Sequence, residues 1–233
     1  MKLQSLSPKE RVLKIAENHI NEKGVWDVSI SEVIKEAHVS KKAFYRLFYN
    51  KQSMLVYLCA KRMKRMTNCL EELSKRVDNK VERVIALAIF SIICNESDGS
   101  KVPLYFFASN KALWKNCLPE SEKELEQAFC SLNYAYTKCI NDILPFAKSE
   151  EELQKAWKHV GRYMRGTIAI NNNAITGDLN LCMQSIHDEI DSLITLLQPA
   201  IKETIKIDNK LMVVNCRSII DQYNIDYRNS VCF

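Results

Sequence analysis

"HVSKKAFYRLFYNKQSML", residues 38–55, holds four aromatic rings and four basic side chains and not one acid. Placed on a helical wheel, its first half separates completely. Ala43, Phe44, Leu47 and Phe48 share one side, while Lys41, Lys42, Tyr45, Arg46 and Tyr49 share the other. The first side is built to be covered. The second offers only cations and phenols, which a protein interior cannot satisfy cheaply. Ser40 stands where an N-cap is needed, so the spacing predicts a short helix beginning just after it.

Working outward, Ser7-Pro8 and Glu10 have the form of a helix start, and Val12, Ile15, Ala16, His19 and Ile20 recur at helical spacing up to a stop at Gly24. "SISEVIKEA", capped by Ser29 or Ser31, predicts a second helix that buries Ile30, Val33, Ile34 and Ala37. Two helices separated by the tight turn "HVS", the second of them basic, describe a helix-turn-helix. The polar face of such a helix suits a DNA major groove. Lys and Arg reach phosphates or the edge of guanine, and tyrosine hydroxyls fix register on the backbone.

The charge distribution agrees. Up to residue 66 there are 14 Lys/Arg against 6 Asp/Glu. The remaining 167 residues carry 19 against 22, within a total of +5. A basic beginning joined to a slightly acidic remainder fits contact of the first part with a polyanion. Five glycines and five prolines among 233 residues leave little room for a turn-rich β architecture. The nine cysteines form no close pair of metal-ligand spacing, and the start "MKLQSLSPKE" has no apolar signal core, so the thiols are expected to be reduced and the protein cytoplasmic. The longest strongly apolar run, "VIALAIFSIIC", is about half of the roughly 20 residues a membrane span needs.

Residues 11–55 resemble the N-terminal domain of the TetR/AcrR family of transcriptional regulators without a gap. The resemblance rests on "RVLKIA", the glycine of "NEKG", "SISEVIKEA", "VS" before the recognition helix, "FYRLF", and "NKQSML" opening the fourth helix. It implies an all-α protein with a three-helix helix-turn-helix domain (1–52) and a helical ligand-binding and dimerisation domain (53–233), residues 53–76 forming the linking helix. The DNA-facing positions it implies are Ser29, Ser40, Lys41, Lys42, Tyr45, Arg46, Tyr49 and Lys51, with Lys51 close to a phosphate. There are departures. His38 stands where the family has glycine, which asks for a left-handed residue with a Cβ. Ala43 and Leu47 replace a common threonine and histidine that contact phosphate, and Lys42 replaces a small residue.

Further helices are expected near 80–96, 103–116, 120–144, 150–175, 180–206 and 210–223, separated by Pro103, Pro119, Pro145 and "NNNAITGD". An aromatic cluster, Phe90, Tyr105, Phe106, Trp114, Phe129 and Tyr134, is a candidate ligand pocket, although aromatics at helical spacing are more often core. Two apolar stripes complete the pattern. One runs through Leu153, Trp157, Val160, Met164 and Ile168, the other through Leu179, Met183, Ile186, Ile190, Leu193 and Leu197, with Gly161 and Gly166 free of side chains. From Trp157 and Met183 onward these stripes are the expected homodimer interface, since the family builds a four-helix bundle there.

The four histidines are scattered, no phosphate-binding glycine motif is present, and no catalytic residue, metal or cofactor is expected. The reading is a ligand-responsive repressor that binds a palindromic operator as a dimer. Its partners would be double-stranded DNA, a small-molecule effector of unknown identity and a second copy, with no membrane. An architectural DNA-binding protein without a ligand is the alternative, and a helical enzyme the remote one.

Overall fold

The computed structural model describes residues 5–94, 104–171 and 186–222, and every regular element among them is helical. In chain order these are α1 (Pro8–Lys23), α2 (Ile30–Glu36), α3 (Lys41–Phe48), α4 (Lys51–Arg76), α5 (Lys80–Ile93), α6 (Leu104–Ser109), α7 (Pro119–Asp142), α8 (Glu150–Asn171), α9 (Ile186–Leu197) and α10 (Asn209–Gln222). Short 3₁₀ turns lie at Lys111–Leu113, Leu144–Phe146 and Gln198–Ala200. The all-α class follows the sequence reading, with two adjustments. The aromatic stretch after Pro103 is broken at Asn110 into α6 and a 3₁₀ turn, and the helix expected to reach residue 206 stops at Leu197, where Pro199 removes a backbone donor.

The chain divides into two compact units. The first takes the residues up to Lys64 together with 104–130, and the second takes Arg65 to Cys94 together with the rest from Ser131. In the first unit α1 starts on a reciprocal cap: Ser7 Oγ accepts from the Glu10 amide at 3.3 Å, and Glu10 Oε2 accepts from the Ser7 amide at 2.9 Å. Gly24, at φ 85°, ends it. Arg11 Nε donates to the Ala37 carbonyl at 2.9 Å and buried His19 meets Glu36 at 3.0 Å, which ties α1 to α2. Val12, Ala16, Val33, Phe44, Phe48, Met54 and Leu58 form one apolar core with Leu104, Phe107, Trp114 and Leu125.

In the second unit α5 is apolar on all sides and buried from Val84 to Ile92, as a central helix must be. Helices α8 and α9 pack on each other and on α5, and α10 lies against α5 and α9. An antiparallel bridge, Ala147 with Ile201, pins the end of the α7–α8 connection to the segment after α9.

Candidate nucleic-acid interface

α3 has the two faces its sequence prescribes. Phe44 and Phe48 are fully buried, with ring centroids 5.4 Å apart, and Phe48 meets Tyr57 of α4 edge-on at 6.0 Å. Leu47 packs half-buried against the same core. Lys41, Lys42, Tyr45, Arg46 and Tyr49 all face solvent. Among the described residues no hydrogen bond or ion pair engages the two lysines or the arginine. Three cations left unpaired within a span of six residues make a surface ready for phosphates and base edges.

The two serines serve first as caps. Ser40 Oγ accepts from the Ala43 amide at 3.1 Å, and Ser29 Oγ accepts from the Glu32 amide at 3.4 Å while sharing a 2.8 Å bond with Ser31. Lys51 is the first residue of α4 rather than a loop residue ahead of it. Its Nζ donates to the Trp26 carbonyl at 2.9 Å, and burial pulls its pKa below the usual lysine value, with Asp27 acting in the opposite direction. Two ammonium protons remain for an anion.

The turn before α3 holds His38 at φ 51°, the left-handed conformation that the missing glycine required. At the other end of α3, Tyr49 is also left-handed, at φ 63°. Sequence reasoning missed this second site, and it missed Trp26, which is 48 % exposed beside Lys51 and whose ring meets Phe107 edge-on at 6.3 Å. A tryptophan between Gly24 and the Ser29 cap, in a connection too short to bury it, was the available signal.

The candidate pocket residues divide between the two units. Phe90 is fully buried in the second unit, while Tyr134 there is 71 % exposed. Trp114 and Phe129 belong to the helical core of the first unit. Tyr105 and Phe106 fall on α6, and their side chains lie outside the described ones. Phe90, Trp114 and Phe129 recur at helical spacing because they fill cores. The second unit does hold a cleft of about 320 Å³, but Asp78, Lys80, Glu82, Phe146, Ile201 and Lys206 are among its walls.

The residues of the expected dimer stripes lie partly inside and partly outside the packed unit. Val160, Ile168, Ile190, Leu193 and Leu197 are buried within one protomer, where α8, α9 and α5 cover one another. Trp157, Met164 and Ile186 remain half-exposed, and Met183 lies outside the described residues. Trp157 also packs on Tyr136 at 6.0 Å.

A fully packed helix-turn-helix with a cationic, unpaired outer face on its second helix defines a DNA-binding transcriptional regulator. Residues 12–58 match the family of bacterial regulatory proteins of the tetR type, which supports a TetR-family transcriptional regulator. It is 26 % identical over 137 residues to the uncharacterised HTH-type transcriptional regulator YdgC of Bacillus subtilis, covering 54 % of this chain and 68 % of that one. Its fold is similar to that of reduced Escherichia coli NemR (TM-score 0.56, 14 % identity, 86 % of this chain and 99 % of that one). It is also similar to Bacillus subtilis FadR in complex with stearoyl-CoA (TM-score 0.51, 16 % identity, 84 % and 99 %). The family matched by residues 12–58 is one of regulators rather than enzymes. Among the described residues no helix is long and apolar enough to cross a membrane.

Proposed function

We propose that the protein is a ligand-responsive repressor, acting in the cytoplasm, that binds a palindromic operator as a homodimer with two α3 helices about one DNA turn apart. The observation that carries the reading is the outer face of α3, where Lys41, Lys42, Arg46, Tyr45 and Tyr49 are exposed above two fully buried phenylalanines. In this reading Lys42 and Arg46 enter the groove. Lys51 meets phosphate, already aimed by its bond to Trp26, and Ser29 and Ser40 lend the helix N-termini they cap. Residues 1–52 form the DNA-binding domain, and 53–233 form the regulatory domain, linked through 53–76.

Half-exposed Trp157, Met164 and Ile186 support pairing of protomers through the outer sides of α8 and α9. Nothing within 4 Å would meet a Cβ at Gly166, so the α8 backbone is open to a neighbour there. A small-molecule effector is supported by the likeness to FadR with its bound stearoyl-CoA. Such a ligand acts by binding better to the conformation whose recognition helices are wrongly spaced, because only differential affinity moves the equilibrium. The test is an electrophoretic shift on the DNA upstream of the protein's own gene, repeated with candidate small molecules. A shift that a ligand abolishes is expected. A shift that no ligand changes leaves an architectural protein, and no sequence-specific shift removes the reading.

A further inference from the structure

The joint between α3 and α4 is a turn that something has to hold. Tyr49 sits at φ 63° and ψ −48°, and the Asn50 amide donates to the Phe48 carbonyl at 2.7 Å. This closes a three-residue γ-turn of the positive-φ hand, a conformation that is rare for a residue with a Cβ. It persists only where the surroundings over-determine it.

Those surroundings are specific. Asn50 Oδ1 caps α4, accepting from the Ser53 amide at 2.8 Å and the Ser53 hydroxyl at 2.9 Å. Capping needs only that oxygen. The other half of the side chain points elsewhere, and its Nδ2 donates to the Asn116 carbonyl at 2.8 Å. Ser53, fully buried, accepts at Oγ from the Leu118 amide at 2.9 Å. Two neighbouring residues at the start of α4 therefore reach one distant corner, the connection that leads into α7, and all four residues belong to the first unit. The same corner follows Trp114, a core residue of this unit, and the Cys117 amide donates to the Trp114 carbonyl at 3.0 Å.

We propose that Asn50 and Ser53 are positioning residues for operator recognition, latching the strained end of the recognition helix to the 116–118 corner. The latch fixes the direction in which α3 leaves α4, and movement of the corner changes DNA affinity without touching a DNA-facing side chain. The proposal rests on α3 being the reading helix.

The experiment uses the full chain, with the DNA upstream of its own gene and a random duplex of equal length as probes. Asn50→Ser keeps a capping hydroxyl and removes Nδ2. Ser53→Ala removes the acceptor for Leu118 at a buried position that DNA does not reach. Each variant is expected to lose about tenfold in affinity for the specific probe, the scale of one lost base contact. Random-duplex affinity and the salt slope should stay as they are, since no cation is removed. Amide exchange at Leu118 should quicken in Ser53→Ala, with thermal melting confirming that both variants are folded. Unchanged specific affinity in both folded variants overturns the latch. So does a loss confined to Asn50→Ser and equal on both probes, which makes Asn50 a phosphate contact. A wild-type protein that does not prefer the specific probe fails the reading of α3 instead, and Leu118 exchange still judges the bond.

Discussion

The recognition helix and the paired helices α8 and α9 follow the same amphipathic plan, yet they end in opposite situations. α3 buries Phe44 and Phe48 and sets three unpaired cations and two phenols in water. α8 and α9 bury Val160, Ile168, Ile190, Leu193 and Leu197 in their own unit and leave half-covered Trp157, Met164 and Ile186 outside, among exposed side chains of both charges such as Glu152, Lys158, Arg165 and Asp188. The difference lies in what can satisfy each stripe. Any apolar neighbour satisfies an apolar stripe, so the stripe alone does not say whether that neighbour belongs to the same protomer or to another. A cationic stripe needs an anion, and where the protein supplies none the partner must come from outside.

The sharpest way to break this comparison is a charge at Ile190, which is fully buried in the second unit. Ile190→Asp should cost about 3–5 kcal/mol by leaving an unpaired ion in that core. Urea or thermal unfolding should show the loss in the isolated protomer as well as in any dimer. A variant that melts like the wild type but sediments as a monomer would move Ile190 into the interface and reverse the reading of α9.

Arg46→Ala tests the other side. It removes an exposed cation that supports no neighbour, so the melting temperature should hold while operator affinity falls by about 1–3 kcal/mol and preference relaxes at one base. Lys51→Ala should weaken all DNA alike and make the salt dependence shallower by about one phosphate per subunit. Equal, sequence-independent losses in both variants would show that Arg46 reads no base.

These two regions also mark how far the sequence could be read. The helix-turn-helix was legible because three signals coincide there: caps at Ser29 and Ser40, a buried pair at Phe44 and Phe48, and a polar arc with no acid. Even the awkward turn at His38 could be anticipated, since a missing glycine leaves few alternatives. The γ-turn at Tyr49 and the bonds from Asn50 and Ser53 to residues 116 and 118 could not. They depend on which distant backbone groups arrive beside α4, and local spacing carries no information about that. The stripes on α8 and α9 were legible as buried faces, but the identity of what buries them depends on α5, whose all-round apolar surface needs more than one cover.

A smaller effect is expected at Glu189, a carboxylate that is only 5 % exposed and accepts from the Tyr163 hydroxyl at 2.7 Å. Burial raises its pKa above 4.5, with the Tyr163 bond opposing and Asp188 adding to the rise. The folded state therefore holds this proton more tightly than the unfolded chain. Its contribution is most favourable below 4.5 and is lost as pH rises through the raised value. Glu189→Gln keeps an acceptor for Tyr163 and removes the buried charge. It should melt higher than the wild type at neutral pH and show a flatter dependence of melting on pH in the acid range. A lower melting temperature at pH 7 would mean that the charge has a counter-ion.

The finest distinction concerns the two left-handed residues that bracket α3. A Cβ in that region costs about 1–2 kcal/mol, and glycine relieves the cost while making the unfolded chain more flexible by about 0.4–1 kcal/mol. The net gain for His38→Gly should then be about 0.5 kcal/mol of stability, read as a small rise in denaturant midpoint. Operator affinity should not change, because the His38 side chain lies outside the polar arc of α3. Tyr49→Gly relieves a comparable strain at φ 63° but deletes a ring that is 63 % exposed on the cationic side of α3. Its stability should rise by a similar amount while operator binding weakens. If both glycines stabilise and neither alters binding, Tyr49 is outside the interface and the cationic arc ends at Arg46. If Tyr49→Gly destabilises, the γ-turn is held by the tyrosine ring itself rather than by Asn50 and Ser53.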